Sequence, residues 1–168
     1  RTDGNMTQPR RRRFALVTLG CSKNTVDSAS MGEVLEQAGY AAEEDVHRAD
    51  VVIVNTCGFI GPARAESLAV LRELAAGKKR GQVLIAAGCF AQRGGTEIIR
   101  EAPGVDGVIG TRQWMEIAEF ARALAERPPA ERLPRYHLPE TESPAEPEVR
   151  RSARQGASAY LKIADGCR

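Results

Sequence analysis

The stretch "VVIVNTCGFI", residues 51 to 60, decides the fold. Val51 to Val54 form an unbroken apolar run with no alternation between wet and dry positions. A strand that must be dry on both faces belongs in a parallel sheet covered by helices on each side. Asn55 and Thr56 then turn polar, and Cys57 and Gly58 follow where the strand has to end.

Three further apolar runs repeat the pattern: Phe14 to Leu19, Gln82 to Ala87 and Val105 to Ile109. Helical periodicity fills the gaps. Met31, Val34, Leu35 and Ala38 share one face, and Gly39 supplies a stop. Pro62 suits the first turn of a second helix, with Ala65, Leu68, Ala69 and Leu71 inward and Gly77 at its end. A short helix is expected from Thr96, as N-cap, to about Glu101. A last one carries Trp114, Ile117, Ala118, Ala121 and Leu124. Strand and helix alternating in this way predict an α/β domain, doubly wound, with a mainly parallel sheet of four or more strands, Rossmann-like or flavodoxin-like in class.

The domain is expected over residues 14–126. Before it, residues 1–13 read as a tail, in which Arg10 to Arg13 are solvated or, alternatively, touch RNA or another polyanion. After it, six of the nine prolines crowd between Pro128 and Pro147, so 127–155 reads as a stiff linker. Structure is expected to resume at 156–168, as the start of a second domain that breaks off. Twenty-four basic against 22 acidic residues leave a net charge of +2, and direct nucleic-acid binding by the chain is not expected. No apolar run approaches the ~20 residues of a membrane helix.

Four cysteines, Cys21, Cys57, Cys89 and Cys167, lie too far apart for the dense spacing of a disulfide-stapled secreted domain, which favours a reducing cytoplasm. Cys21 follows the first strand through Gly20, Cys57 follows the second through Asn55 and Thr56, and Cys89 follows the third through Gly88. Parallel strands all end on one edge, where ligands of open α/β sheets gather. The three thiols should therefore converge there, with Gly20, Gly58 and Gly88 allowing close approach of backbone. Buried apolar cysteine is the alternative for any one of them. A structural zinc ordinarily takes four ligands with paired short spacings, and neither a C-x-x-C pair nor a nearby histidine is present. Three thiolates suit an iron–sulfur cluster with one iron left open.

"LGCSKNTVDSASM" (19–31), "VVIVNTCGFI" (51–60), "AAGCFAQR" (86–93), "PGVDGVIGT" (103–111) and "YLKIADGC" (160–167) occur in this order. In them the chain resembles the radical S-adenosylmethionine methylthiotransferases. The forms "LGCSKN" and "NTCGFI" resemble the RimO branch, which modifies an aspartate of ribosomal protein uS12. The tRNA-modifying MiaB branch typically carries "GCQMN" and "NTCSVR"-like segments there. The resemblance implies an auxiliary [4Fe–4S] cluster held by Cys21, Cys57 and Cys89, whose open iron carries the sulfur to be inserted. It implies a following barrel with a second [4Fe–4S] cluster that binds S-adenosylmethionine, Cys167 matching the first cysteine of its C-x-x-x-C-x-x-C motif. One S-adenosylmethionine would methylate the sulfur; a second would yield a 5′-deoxyadenosyl radical that takes hydrogen from the substrate β-carbon. The partners implied are uS12 as substrate, a sulfur donor and an electron donor for the radical cluster. These 168 residues by themselves are expected to bind a cluster and not to turn over.

Around the thiols, Asn24 or Thr25 is a candidate cap for the first helix, and a helix N-terminus would favour an anionic cluster. Lys23 and Asn24 are candidates for contact with it. Asn55 and Thr56 could donate to its sulfurs or bond ordinarily within the loop. Gln92 and Arg93 could line a path to the barrel or lie in a solvated loop. His47 and His137 read as exposed, and Trp114 as core. A rival of another class is a cluster-free flavodoxin-like binding module. Against it, the chain has no G-x-x-x-x-G-K-[ST] or G-x-G-x-x-G loop.

Overall fold

A computed structural model describes residues 10–58 and 60–138, together with the backbone of 152–155 and 158–161. Six strands, β1 (Arg13–Thr18), β2 (Ala41–Ala42), β3 (Val51–Thr56), β4 (Val83–Gly88), β5 (Gly107–Ile109) and β6 (Arg135–His137), form one sheet. Their order is β2-β1-β3-β4-β5-β6, and every pairing is parallel. The crossovers hold α1 (Ser22–Gln37), α2 (Gly61–Ala76), α3 (Cys89–Glu101) and α4 (Ile117–Ala125). The doubly wound α/β fold expected from the runs is what forms, in the flavodoxin-like strand order.

The unbroken run of β3 explains the layering. Val51 and Ile53 point into a core with Met31, Val34 and Leu35 of α1 and Ile117, Ala121 and Leu124 of α4. Val52 and Val54 point the other way, onto Leu68 and Leu71 of α2 and Phe90 and Ile98 of α3. All four are at most 2% exposed. Each such side chain contributes about 1.5–3 kcal/mol on burial, so replacing either alternate set by polar residues would strip one helix layer from the sheet. The strand order reverses between β1 and β3, and the crevice beyond their carboxyl ends is where such a sheet takes ligands.

The structure corrects several expectations. The segment read as linker supplies β6, whose pairing to β5 is extended by Arg135 N–H donating to Asp106 O and Gly110 N–H to His137 O, each at 3.0 Å. Arg132 ties the same segment to the carbonyls of Gly81 and Gln82 at 3.2 and 3.0 Å. His137 is accordingly half-buried, bonded to Glu116 and stacked on Phe120; His47 is exposed as expected. The arginine cluster is not a free tail. Arg13 opens β1, Arg10 pairs with Asp50 at 2.5 Å, and Arg11 donates to the carbonyl of Gly39. The helix placed at Thr96 starts at Cys89, with a non-helical kink at Gly94, so Gln92 and Arg93 lie on α3 and not in a loop. Trp114 is buried in the α1/α4 core, as expected. A separate antiparallel pair, β7 (Ser152–Gln155) with β8 (Ser158–Leu161), follows. Cys167 lies outside the described residues.

Candidate metal centre at the carboxyl edge of the sheet

Cys21, Cys57 and Cys89 stand beyond the ends of β1, β3 and β4, three strands that are neighbours in the sheet. Cys21 and Cys57 flank the point where strand order reverses. Cys21 is exposed, Cys57 and Cys89 are half-buried, and none of the three is in a disulfide. Their surroundings are drawn together by contacts between the loops. A Cβ added to Gly20, which holds φ +89, would lie 2.5 Å from Cys57 Cβ and 2.7 Å from its Sγ, so only glycine lets the Cys21 loop approach that closely. Gly58 is pressed in the same way against Phe90, the residue after Cys89.

Beneath the thiols lies a buried polar frame. Asn24 Nδ2 donates to the carbonyls of Leu19 and Thr56 at 2.7 and 3.1 Å. Asn55 Nδ2 donates to Asn24 O at 2.9 Å and to Ser28 Oγ at 3.0 Å. Thr56 Oγ1 donates to Ala87 O at 2.6 Å and accepts the Ala91 N–H. These residues tie β1, β3 and β4 to the first turns of α1 and α3. Their donors are spent on the frame, so they set the positions of the thiols from below. Asn24 is not the cap of α1; Cys21 itself occupies the N-cap position, with no side-chain cap bond. One contributor had no signal in the sequence. Ser67 of α2, fully buried, accepts the Cys57 N–H at 3.1 Å and donates to the Cys57 carbonyl at 2.9 Å.

The helix starts here depart from common practice. α1, α2 and α3 all begin at this edge with no acidic residue in the first turn and no side-chain cap bond. Helix N-termini carry partial positive charge and usually recruit an acid or a capping oxygen. α1 and α2 have neither, and at α3 the Thr56 hydroxyl accepts only the Ala91 N–H, so the edge favours an anionic occupant. Lys23, in the first turn of α1, brings an ammonium to this edge in an ion pair with Asp27: its Nζ is 2.8 Å from Asp27 Oδ2 and 3.9 Å from Cys89 Sγ.

As the side chains stand, no group of three or more His, Cys, Asp and Glu among the described residues is arrayed to hold a metal ion. The chemistry of the set nonetheless fits an iron–sulfur cluster. It offers three thiols on adjacent strand ends, a close-approach glycine between two of them and an electropositive surround. Neither histidine joins them, His47 lying between β2 and β3 and His137 being bonded to Glu116.

A family model described as Uncharacterized protein family UPF0004 matches residues 13–110, a span that holds β1 through β5 and all three thiols. Among curated relatives, the Ribosomal protein uS12 methylthiotransferase RimO of Roseiflexus sp. (strain RS-1) is 41% identical, over 92% of this chain and 36% of that relative. The proteins of the same name from Chloroflexus aurantiacus and Roseiflexus castenholzii are 44% and 43% identical, over 92% and 90% of this chain and 36% of each relative. The chain thus spans about a third of the length of the curated relatives it matches.

Proposed function

The chain belongs to the family described as Uncharacterized protein family UPF0004, and from that premise we propose that it is the N-terminal, cluster-holding domain of a radical S-adenosylmethionine methylthiotransferase. The substrate is an aspartate of ribosomal protein uS12. The observation that carries the reading is the placement of Cys21, Cys57 and Cys89 on the ends of three adjacent parallel strands.

In this reading the three thiolates hold the auxiliary [4Fe–4S] cluster, which supplies an open iron where the sulfur to be inserted is kept. The residues of the chain do the positioning. Gly20 brings the Cys21 loop onto Cys57, Ser67 clamps the backbone of Cys57, and Thr56 fixes the start of α3 and with it Cys89. Cys167 is the first ligand of the second cluster, which binds S-adenosylmethionine in the following barrel and takes its electrons from a separate donor protein. A sulfur donor restores the auxiliary site between turnovers. The 168 residues bind one cluster and do not turn over without that barrel, and the enzyme works in the cytoplasm beside the ribosome.

Anaerobic reconstitution with iron and sulfide tests this. The chain should take up about four irons and show the absorbance of a [4Fe–4S] centre. Replacing Cys21, Cys57 and Cys89 together by alanine should abolish uptake, and Cys167→Ala should leave it intact. Uptake that survives the triple replacement would refute the assignment. In the full-length protein, mass spectrometry should find the methylthio group on uS12, and its arrival on tRNA would place the enzyme in the other branch.

A further inference from the structure

Lys23 sits where a helix has least use for it. It occupies the first turn of α1, where the helix dipole opposes a cation. Its partner Asp27 lies four residues toward the C-terminus, the less favourable order for an i,i+4 ion pair. Both side chains are largely withdrawn from water, at 16% and 8% exposure, so the ammonium has given up most of its hydration. Helix stability explains none of this. The Nζ does reach across from α1 to within 3.9 Å of Cys89 Sγ, at the first residue of α3.

We propose that Lys23 is a positioning and charge-compensating residue for the auxiliary cluster. Asp27 fixes its ammonium against the thiolate of Cys89, where it stabilises the more negative, reduced state of the bound group. The inference rests on the cluster reading above and adds to it a residue that sets the redox behaviour of the site. Low dielectric at a half-buried position strengthens the attraction between ammonium and thiolate, and hydrogen bonds and charges at cluster sulfurs are established determinants of potential.

The test is a potentiometric titration, followed by electron paramagnetic resonance, of the reconstituted chain beside Lys23→Met and Lys23→Arg. Loss of the ammonium should lower the ratio of reduced to oxidised cluster about tenfold at a fixed potential, about 59 mV for a one-electron couple. It should also speed removal of iron by a chelator. Lys23→Arg should restore both. A cluster in Lys23→Met with an unchanged potential overturns the inference and leaves the cluster reading standing, because a purely structural role would lower the melting temperature alone. If Lys23→Met assembles no cluster, Lys23→Arg decides: assembly at the unaltered potential supports the proposal, and failure like that of methionine overturns it. No cluster in the unaltered chain overturns the cluster reading and this inference together.

Discussion

Gly88 holds φ 97 and ψ −167, a backbone conformation that is essentially restricted to glycine. Its α-carbon faces Asn55 Oδ1 and lies where a Cβ would come within 2.5 Å of the Thr56 carbonyl oxygen. Strain and overlap act together in Gly88→Ala, which should lose about 3 kcal/mol in denaturant unfolding. Ser67→Ala is a smaller lesion with a more local effect. It leaves the Cys57 N–H and carbonyl without their hydroxyl partner and should cost about 1–2 kcal/mol by the same measurement. Hydrogen exchange at Cys57 should quicken in that variant while the strands of the sheet stay protected. Gly88 announced itself in the sequence by ending a strand before a cysteine. Ser67 did not, because a serine on the inner face of a helix looks like any other small residue.

At the scale of the elements, α2 and α3 are joined by Arg72, which donates to the carbonyl and the carboxylate of Glu101 at 2.8 and 2.6 Å. Arg100 first and Arg72 second hold the Glu101 carboxyl below its ordinary value of 4.5. A carboxyl lowered in the folded state contributes stability that is present above its unfolded value and lost as pH falls through its folded one. Glu101→Gln should therefore melt slightly below the unaltered chain at neutral pH. The gap should close in acid below about pH 4.5, and it should be small throughout because the group is open to solvent and salt. The long elements were legible because β3 and β4 are sealed on both faces, β1 is buried at Phe14 and Ala15, and α1 and α4 are buried on one face, which forces continuous or 3.6-residue apolar patterns. β2 is two alanines and β6 is Arg-Tyr-His, held at the sheet by backbone bonds to a neighbour. An edge strand with wet side chains leaves little pattern to read. The first half of α3 was missed because Gly94 and Gly95 look like a helix break. The chain bends there and continues, and the ring of Phe90 fills the space that a side chain at Gly94 would need.

For the molecule as a whole, the corrected limit of the sheet matters. A chain ending at residue 126 lacks β6 and the Arg132 bonds to Gly81 and Gln82, and it bares the edge of β5. It should melt lower than a chain ending at residue 138 by about 3 °C for each kcal/mol lost, and associate more readily through the bared strand. The placement of the three cysteines beyond the same edge of the sheet was legible, since parallel strands share a direction. The polar frame beneath them was not, since nothing in a linear sequence says that Asn24 on α1 and Asn55 on β3 bond each other.

The parallel winding also orders events in time. Cys21, Cys57 and Cys89 come from strands that can meet only after two helical crossovers have been made and docked. At a synthesis rate of about 5–20 residues per second, Cys21 has been made for several seconds before Cys89 is added. Iron offered to the nascent chain would find an incomplete set of donors, while stray oxidants would find exposed sulfur. If Cys21, Cys57 and Cys89 hold a cluster as proposed, its loading follows the docking of both crossovers.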